Sequence, residues 1–256
     1  MLVRADDTGT LLIGQPSHAW VSGQLARAWG NAAFGPVAPF EEVCLAAEQH
    51  DIGMAEWDLA PTFNPDTGLP YAFDEMPLDV HLGLWRVAPR LLLRQSRYAA
   101  LLTSMHGVRL YRLRDLARLP AGDAAAIRGY FDAERRRQDE IVSSLGRPAD
   151  EVARNSQLLW TWDYMSLAVC LGWAPCTITD VPTASDPVSV TLGPGASPNA
   201  VVVDPWPFHS EGSVSVRTEG QRLRNRCESA DALARALADA PWEPLEIELR
   251  RASGPL

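Results

Sequence analysis

The sequence predicts a mostly α-helical protein with a small C-terminal antiparallel β extension, on three observations. Apolar residues recur at helical spacing through most of residues 15–172. Beyond Pro175 the texture changes to short β-branched runs, and residues 1–13 read as a lone hairpin. The expected division is an N-terminal β-hairpin over 1–14, a helical body over 15–174, and a β-rich extension over 175–256 containing one short helix.

Taken in order, residues 2–5 and 10–13 flank the turn-forming Asp6-Asp7-Thr8-Gly9. Pro16-Ser17 opens a helix that runs to about Gly30 with Trp20, Leu25 and Trp29 among its apolar positions. A second helix starts at Phe40 and carries Val43, Leu45, Ala46 and Ala47 toward His50. Residues 59–77 hold Pro61, Pro65, Asp66, Gly68, Pro70 and Pro77, too many turn formers for regular structure, and long loops in a compact domain are often functional. Helical patterning returns over 78–93, 96–119, 123–145 and 150–172, with Gly146-Arg147-Pro148 dividing the last two. Residues 188–192, 200–204, 213–217 and 245–249 read as strands, Gly193-Pro194-Gly195 and Glu219-Gly220 as turns, and 229–237 as the short helix. The N-terminal hairpin is expected to complete this small sheet.

Composition narrows the function. Of 256 residues, 46% are hydrophobic and 21% charged, as in an ordinary globular protein. The net charge of −9 offers no broad basic face for a phosphate backbone or an anionic membrane, so neither nucleic acid nor membrane is expected as a partner. Every basic residue is Arg. No stretch approaches the roughly 20 apolar residues of a spanning helix, because Asp163 and Pro175 interrupt the most apolar one. Residues 1–7 lack the basic start and apolar run of a signal peptide, which predicts a cytoplasmic location. Cys44, Cys170, Cys176 and Cys227 form no Cys-x-x-Cys pair and read as reduced thiols. Walker-type, Gly-x-Ser-x-Gly and dinucleotide fingerprints are missing.

The placement of the histidines is the most informative feature. His18 lies in the first helix, His50 is followed directly by Asp51 near the end of the second, and His81 and His106 lie in the third and fourth. Imidazole and carboxylate together are a ligand set for Zn, Mn and Fe, and helical bundles build metal sites from side chains on separate helices. Asp163 sits in the apolar run Leu158-Leu159-Trp160-Thr161-Trp162-Asp163-Tyr164, where an unpaired carboxylate is costly and a metal would relieve the cost. His209, in Pro205-Trp206-Pro207-Phe208-His209, stands outside this order and reads as a surface or packing residue.

The order His18, His50-Asp51, His81, His106, Asp163 resembles the HD-domain superfamily of metal-dependent enzymes over residues 15–172, and Gly53 after the pair also fits. The resemblance implies an HD-type helical metal-binding domain with two divalent metals. His18, His50, Asp51 and Asp163 would hold the first, His81 and His106 the second, and Asp51 would bridge them, with Asp51, His81 and His106 nearest the chemistry. The long gap before Asp163 resembles the di-iron oxygenase branch, which makes iron the expected metal, Mn or Zn the alternatives, and dioxygen a co-substrate beside a small organic molecule. The chain as a whole resembles a bacterial HD-like family carrying His-Asp-x-Gly-x-x-x-Trp-Asp and Pro-Trp-Pro-Phe, a likeness that supplies no activity.

A two-metal site of this kind also suits a phosphohydrolase, or a binding module without turnover. Many superfamily members carry a Lys shortly after the HD-Gly sequence, and here that place is Met54, followed by Ala55-Glu56-Trp57-Asp58, which disfavours phosphate. Arg109-Leu110-Tyr111-Arg112 reads as a solvated helix face. Glu56, Trp57, Asp58, Trp85 and Trp162 are the expected substrate-binding residues, an aromatic and acidic set suited to an amine through cation–π contacts. The loop over 59–77 is expected to act as a lid, with Phe63, Tyr71 and Phe73 pointing inward.

Overall fold

Thr8 and Gly9 turn the chain between β1 (Leu2–Asp6) and β2 (Gly9–Ile13), and Asp6 closes the turn by accepting hydrogen bonds from the Thr8 backbone N–H at 2.8 Å and hydroxyl at 2.6 Å. In the computed structural model, which describes residues 1–253, this hairpin is one end of a seven-stranded sheet. Seven helices α1 (Gln15–Ala28), α2 (Phe40–Gln49), α3 (Ala55–Leu59), α4 (Leu78–Leu92), α5 (Arg97–Arg112), α6 (Ala121–Leu145) and α7 (Ala149–Leu171) follow, with a two-stranded ribbon β3 (Phe63–Asn64) and β4 (Leu69–Pro70) in the loop after α3. The chain then adds β5 (Cys176–Val181), β6 (Val188–Pro194), β7 (Ala200–Asp204), β8 (Ser213–Leu223), α8 (Ala230–Asp239) and β9 (Trp242–Arg251).

Local signals explain the helix ends. Pro16 occupies the first turn of α1, where its missing N–H costs nothing, and the Gly14 carbonyl accepts from the N–H groups of Ser17 and His18. Glu41 and Glu42 stand at the positive end of α2, and the Ser96 side chain caps α5 by accepting from the Ala99 N–H. Gly146 and Gly172 close α6 and α7. No described helix is long and apolar enough to cross a membrane.

The expectation of a mostly helical bundle with a small antiparallel β extension is overturned. The fold is α/β, with the sheet order β1-β2-β8-β9-β7-β6-β5, and β9 pairs parallel to β7 while all other pairs are antiparallel. The sheet is not an appendage, because it shares one hydrophobic core with the helices. Leu2 and Ile13 from the hairpin, Val203 and Ile247 from the other strands, and Leu25 and Trp162 from α1 and α7 belong to a single buried cluster. Helix α1 packs on β8, and α7 on β5 and β1. Two readings hid the size of the sheet. Gly220 looks like a turn residue but lies inside β8, where a Cβ would strike the Leu12 carbonyl of β2, so glycine there allows the hairpin to join the sheet. The partner of β7 lies beyond α8, too far along the chain for local patterning to pair them. Helix α5 also ends at Arg112, so residues 113–119 turn back rather than extend it.

The candidate site lies where α1, α2, α5 and α7 meet. A 3₁₀ turn, Ile52–Met54, follows Asp51 and wedges against α4. Gly53 faces the Leu84 carbonyl there so closely that a Cβ has no room. Gly53→Ala should therefore lower stability by about 1–3 kcal/mol, the usual cost of overpacking a tight contact. Denaturant titration reads this directly, and an unchanged midpoint would show that the contact relaxes freely.

Candidate metal centre

Five side chains from three helices and the end of a fourth converge. His18 lies in the first turn of α1, His50 caps the C-terminus of α2, Asp51 follows it, His106 comes from α5 and Asp163 from α7. All five are buried. Asp163 Oδ1 lies 3.3 Å from His50 Nε2, and Oδ2 lies 3.3 Å from His106 Nε2. Asp51 Oδ2 is 2.7 Å from His18 Nε2 and 3.6 Å from His50 Nε2.

Hydrogen bonding around the cluster fixes which nitrogen of His18 and His50 faces inward. The Ser166 hydroxyl spends its proton on the Asp163 carbonyl, so it must accept at 2.9 Å from His18 Nδ1–H. His50 Nδ1 meets the Ala47 carbonyl at 2.9 Å, an acceptor only, and therefore carries the hydrogen. In their neutral forms both rings thus aim an Nε2 lone pair at carboxylate oxygens, and His50 Nε2 has no hydrogen-bond partner although it is fully buried. Acceptors facing acceptors in a dry space need a cation between them. Metal–ligand bonds of about 2.0–2.2 Å separate neighbouring donors around one ion by roughly 3 Å, close to the spacings seen here. His18, His50 and Asp163 each offer a ligand atom within 4.8 Å of the other two, so this buried group can hold a metal. Orienting hydrogen bonds on the far nitrogen are the usual support of metal-binding imidazoles.

Without a metal, protons take its place. Burial alone would lower the His50 pKa, but the carboxylates of Asp51 and Asp163 outweigh it and lift the value to about 9. Burial would raise Asp163, yet the imidazoles of His106 and His50 hold it far below the usual carboxylate range, and His50 and His18 likewise hold Asp51 low. For His106 burial prevails and the pKa falls.

His81 lines the same cavity but is engaged elsewhere. Its Nε2 accepts from Trp85 Nε1–H at 3.0 Å, and its Nδ1 lies 2.6 Å from Tyr111 Oη. Burial lowers its pKa to about 4, so the ring is neutral at pH 7. The structure therefore gathers His18, His50, Asp51, His106 and Asp163, and leaves His81 on the wall with both nitrogens in use.

The cavity, about 140 Å³, opens beside these ligands and is bounded by Gln15, Phe73, Trp85, Leu110, Tyr111 and Leu167, with Asp74 and Arg114 exposed at its mouth. Of the expected substrate-binding residues only Trp85 borders it. Glu56 is exposed, Trp57 packs beside Met54 and Trp85, and Asp58 accepts from the Gln15 N–H and pairs with the Met1 amine. Trp162 is buried on the core side of α7 against Trp29. Helix α3 is little more than one turn, so closeness to Asp51 in sequence did not put these groups on the cavity side. Among the lid candidates, Phe73 faces the cavity, Phe63 packs against the cluster of Met1 and Leu12, and Tyr71 is half-buried outside the lining. Sequence reading missed Ser166, whose spacing of three from Asp163 was a usable signal. It also missed Leu110 and Tyr111, which face the cavity from what looked like a solvated helix face, and Trp160, whose ring lies tilted against His106 and carries the Arg109 guanidinium over it.

The pH dependence of the metal-free protein follows from His50. Its pKa is about 6.5 unfolded and about 9 folded, so its stabilisation is complete below 6.5 and is lost as pH rises through 9. His81 and His106, whose values fall on folding, act in the opposite direction and below that window. The melting temperature of metal-free protein should decline between pH 6.5 and 9, and His50→Gln should flatten that decline. An equally steep decline in the variant would assign it to another group.

No curated protein and no solved structure matches the chain. A family of proteins of unknown function, DUF3891, matches residues 1–225, and with most of its length inside that match the chain belongs to this family.

Proposed function

We propose that the protein is a metal-dependent oxygenase that uses iron and dioxygen on a small organic substrate held in the cavity beside His18, His50 and Asp163. The observation that carries this reading is the ligand group itself: two imidazoles with fixed inward lone pairs and one carboxylate, the donor set associated with non-haem iron oxygenases. Iron held there would supply activation of dioxygen toward a C–H bond. The chain's own part is to position and to exclude. Asp51 adds a second carboxylate to the group, His106 steadies Asp163, and Phe73, Trp85, Leu110 and Leu167 keep bulk water from the reacting atoms.

The reading takes one metal where the resemblance to the HD superfamily implies two. What supports one is the hydrogen bonding of His81, whose nitrogens serve Trp85 and Tyr111. The acidic and aromatic wall that suited a cationic substrate is not carried forward, because Glu56, Trp57, Asp58 and Trp162 do not border the cavity. A phosphohydrolase is the second reading, favoured by the Arg114 guanidinium at the mouth.

Anaerobic loading with Fe(II) should give one iron per chain, and His50→Ala or Asp163→Ala should abolish it. Nitric oxide, added as a dioxygen surrogate, should give the EPR spectrum of an iron nitrosyl. Failure of the wild-type protein to retain iron, or metal-dependent cleavage of generic phosphoesters with Mn or Zn, would overturn the oxygenase reading, and the second outcome would install the hydrolase.

A further inference from the structure

The cavity wall beside the His/Asp group contains a chain of hydrogen bonds whose direction can be deduced. Trp85 Nε1–H can only donate, so His81 Nε2, 3.0 Å away, must accept. A neutral imidazole that accepts at Nε2 carries its hydrogen on Nδ1. His81 Nδ1–H therefore donates to Tyr111 Oη at 2.6 Å. The Tyr111 hydroxyl cannot return its own proton to His81, and no other described residue offers it an acceptor within hydrogen-bond distance. Tyr111 is buried and borders the cavity, so its O–H is a donor left for whatever occupies that space. The Arg114 guanidinium stands 5.3 Å over the Tyr111 ring at the mouth and adds positive charge on the same side.

We propose that Tyr111 donates a hydrogen bond to the substrate, that Trp85 and His81 are positioning residues holding its hydroxyl proton toward the cavity, and that the substrate presents a carboxylate there. The proposal rests on the reading of this cavity as the substrate site and gives that site a substrate class. A carboxylate fits better than a phosphate dianion. One neutral donor and one exposed Arg, with the Asp74 carboxylate also at the mouth, are fewer positive groups than a phosphate needs, and a cavity of about 140 Å³ admits only a small ligand. His81 is in this view the means by which a donor is aimed, and not a metal ligand.

The test uses acetate as the probe, titrated calorimetrically into the full chain with and without bound Fe(II), with inorganic phosphate as the comparison. Tyr111→Phe should weaken acetate about tenfold, the usual loss of a hydrogen bond to a charged group, while iron content stays unchanged. Trp85→Phe keeps a ring in place but removes the N–H. His81 is then free to shift its hydrogen to Nε2 and accept from Tyr111, so acetate should weaken to the same extent, which loss of packing alone would not produce in a variant with an unchanged melting temperature. His81→Ala should weaken acetate and leave iron content as in the wild type. The proposal is overturned if Tyr111→Phe binds acetate like the wild type, if phosphate binds more tightly than acetate, or if His81→Ala loses metal. Tyr111-dependent acetate binding in a protein that retains no iron would support it while removing the oxygenase reading.

Discussion

Two carboxylates and three imidazoles share one buried space at the junction of α1, α2, α5 and α7, and the arrangement needs positive charge in its midst, whether protons on the imidazoles or a metal ion. Desolvating a carboxylate costs several kcal/mol or more, so the surrounding structure must return that energy through geometry. The imidazoles that face the carboxylates return it, and buried hydroxyls and carbonyls hold those rings and the Asp163 backbone in place. Ser22 donates to Ser166, Ser166 to the Asp163 carbonyl, and the Ala47 carbonyl accepts from His50. The close approach of Gly53 to α4 and the helix crossings around it set the positions from which these side chains reach one another.

The same side-chain type thereby acquires different work. His18 and His50 each spend one nitrogen on the scaffold and keep the other for the interior of the cluster. His81 spends both. Only the identity of the neighbours makes the difference: a hydroxyl or a carbonyl behind the ring leaves a lone pair in front, whereas an indole N–H consumes it. The cavity is correspondingly lined by both kinds of group, acceptors converging at the His/Asp cluster and a donor at Tyr111.

Much of this was legible in the sequence, and what was not has physical causes. The set His18, His50, Asp51, His106 and Asp163 could be picked out, together with His81, from its order along the chain, which resembles that of the HD superfamily, and from the cost of the Asp163 carboxylate in an apolar run. The hairpin and most helices followed from turn residues and periodicity. The seven-stranded sheet did not, because the β2–β8 and β7–β9 pairs join segments that local patterning cannot connect, and Gly220 marks close approach and not a turn. Trp85 was chosen for its nearness to His81 along the chain, and it borders the cavity because a spacing of four places both on one face of α4. Tyr111 was not, since its role depends on a contact between two helices. Trp57 and Asp58 show the reverse error, in which nearness along the chain was taken for nearness in space.

The order of strands also bears on how the chain acquires its structure. Strand β9, which follows both of them along the chain, is inserted between β8 and β7, and β8 in turn carries the β1–β2 hairpin. Until β9 emerges from the ribosome, β7 and β8 each present an open backbone edge, and the interior of the sheet has a gap at its middle. Helices α1 and α7, which bring His18 and Asp163 together, lie against that unfinished surface. The helices that carry His18 and Asp163 therefore lack a complete floor until β9 has been made, and long-range pairing of this kind is slow to form. Until β9 is in place, the open edges of β7 and β8 are a template for strand-to-strand association.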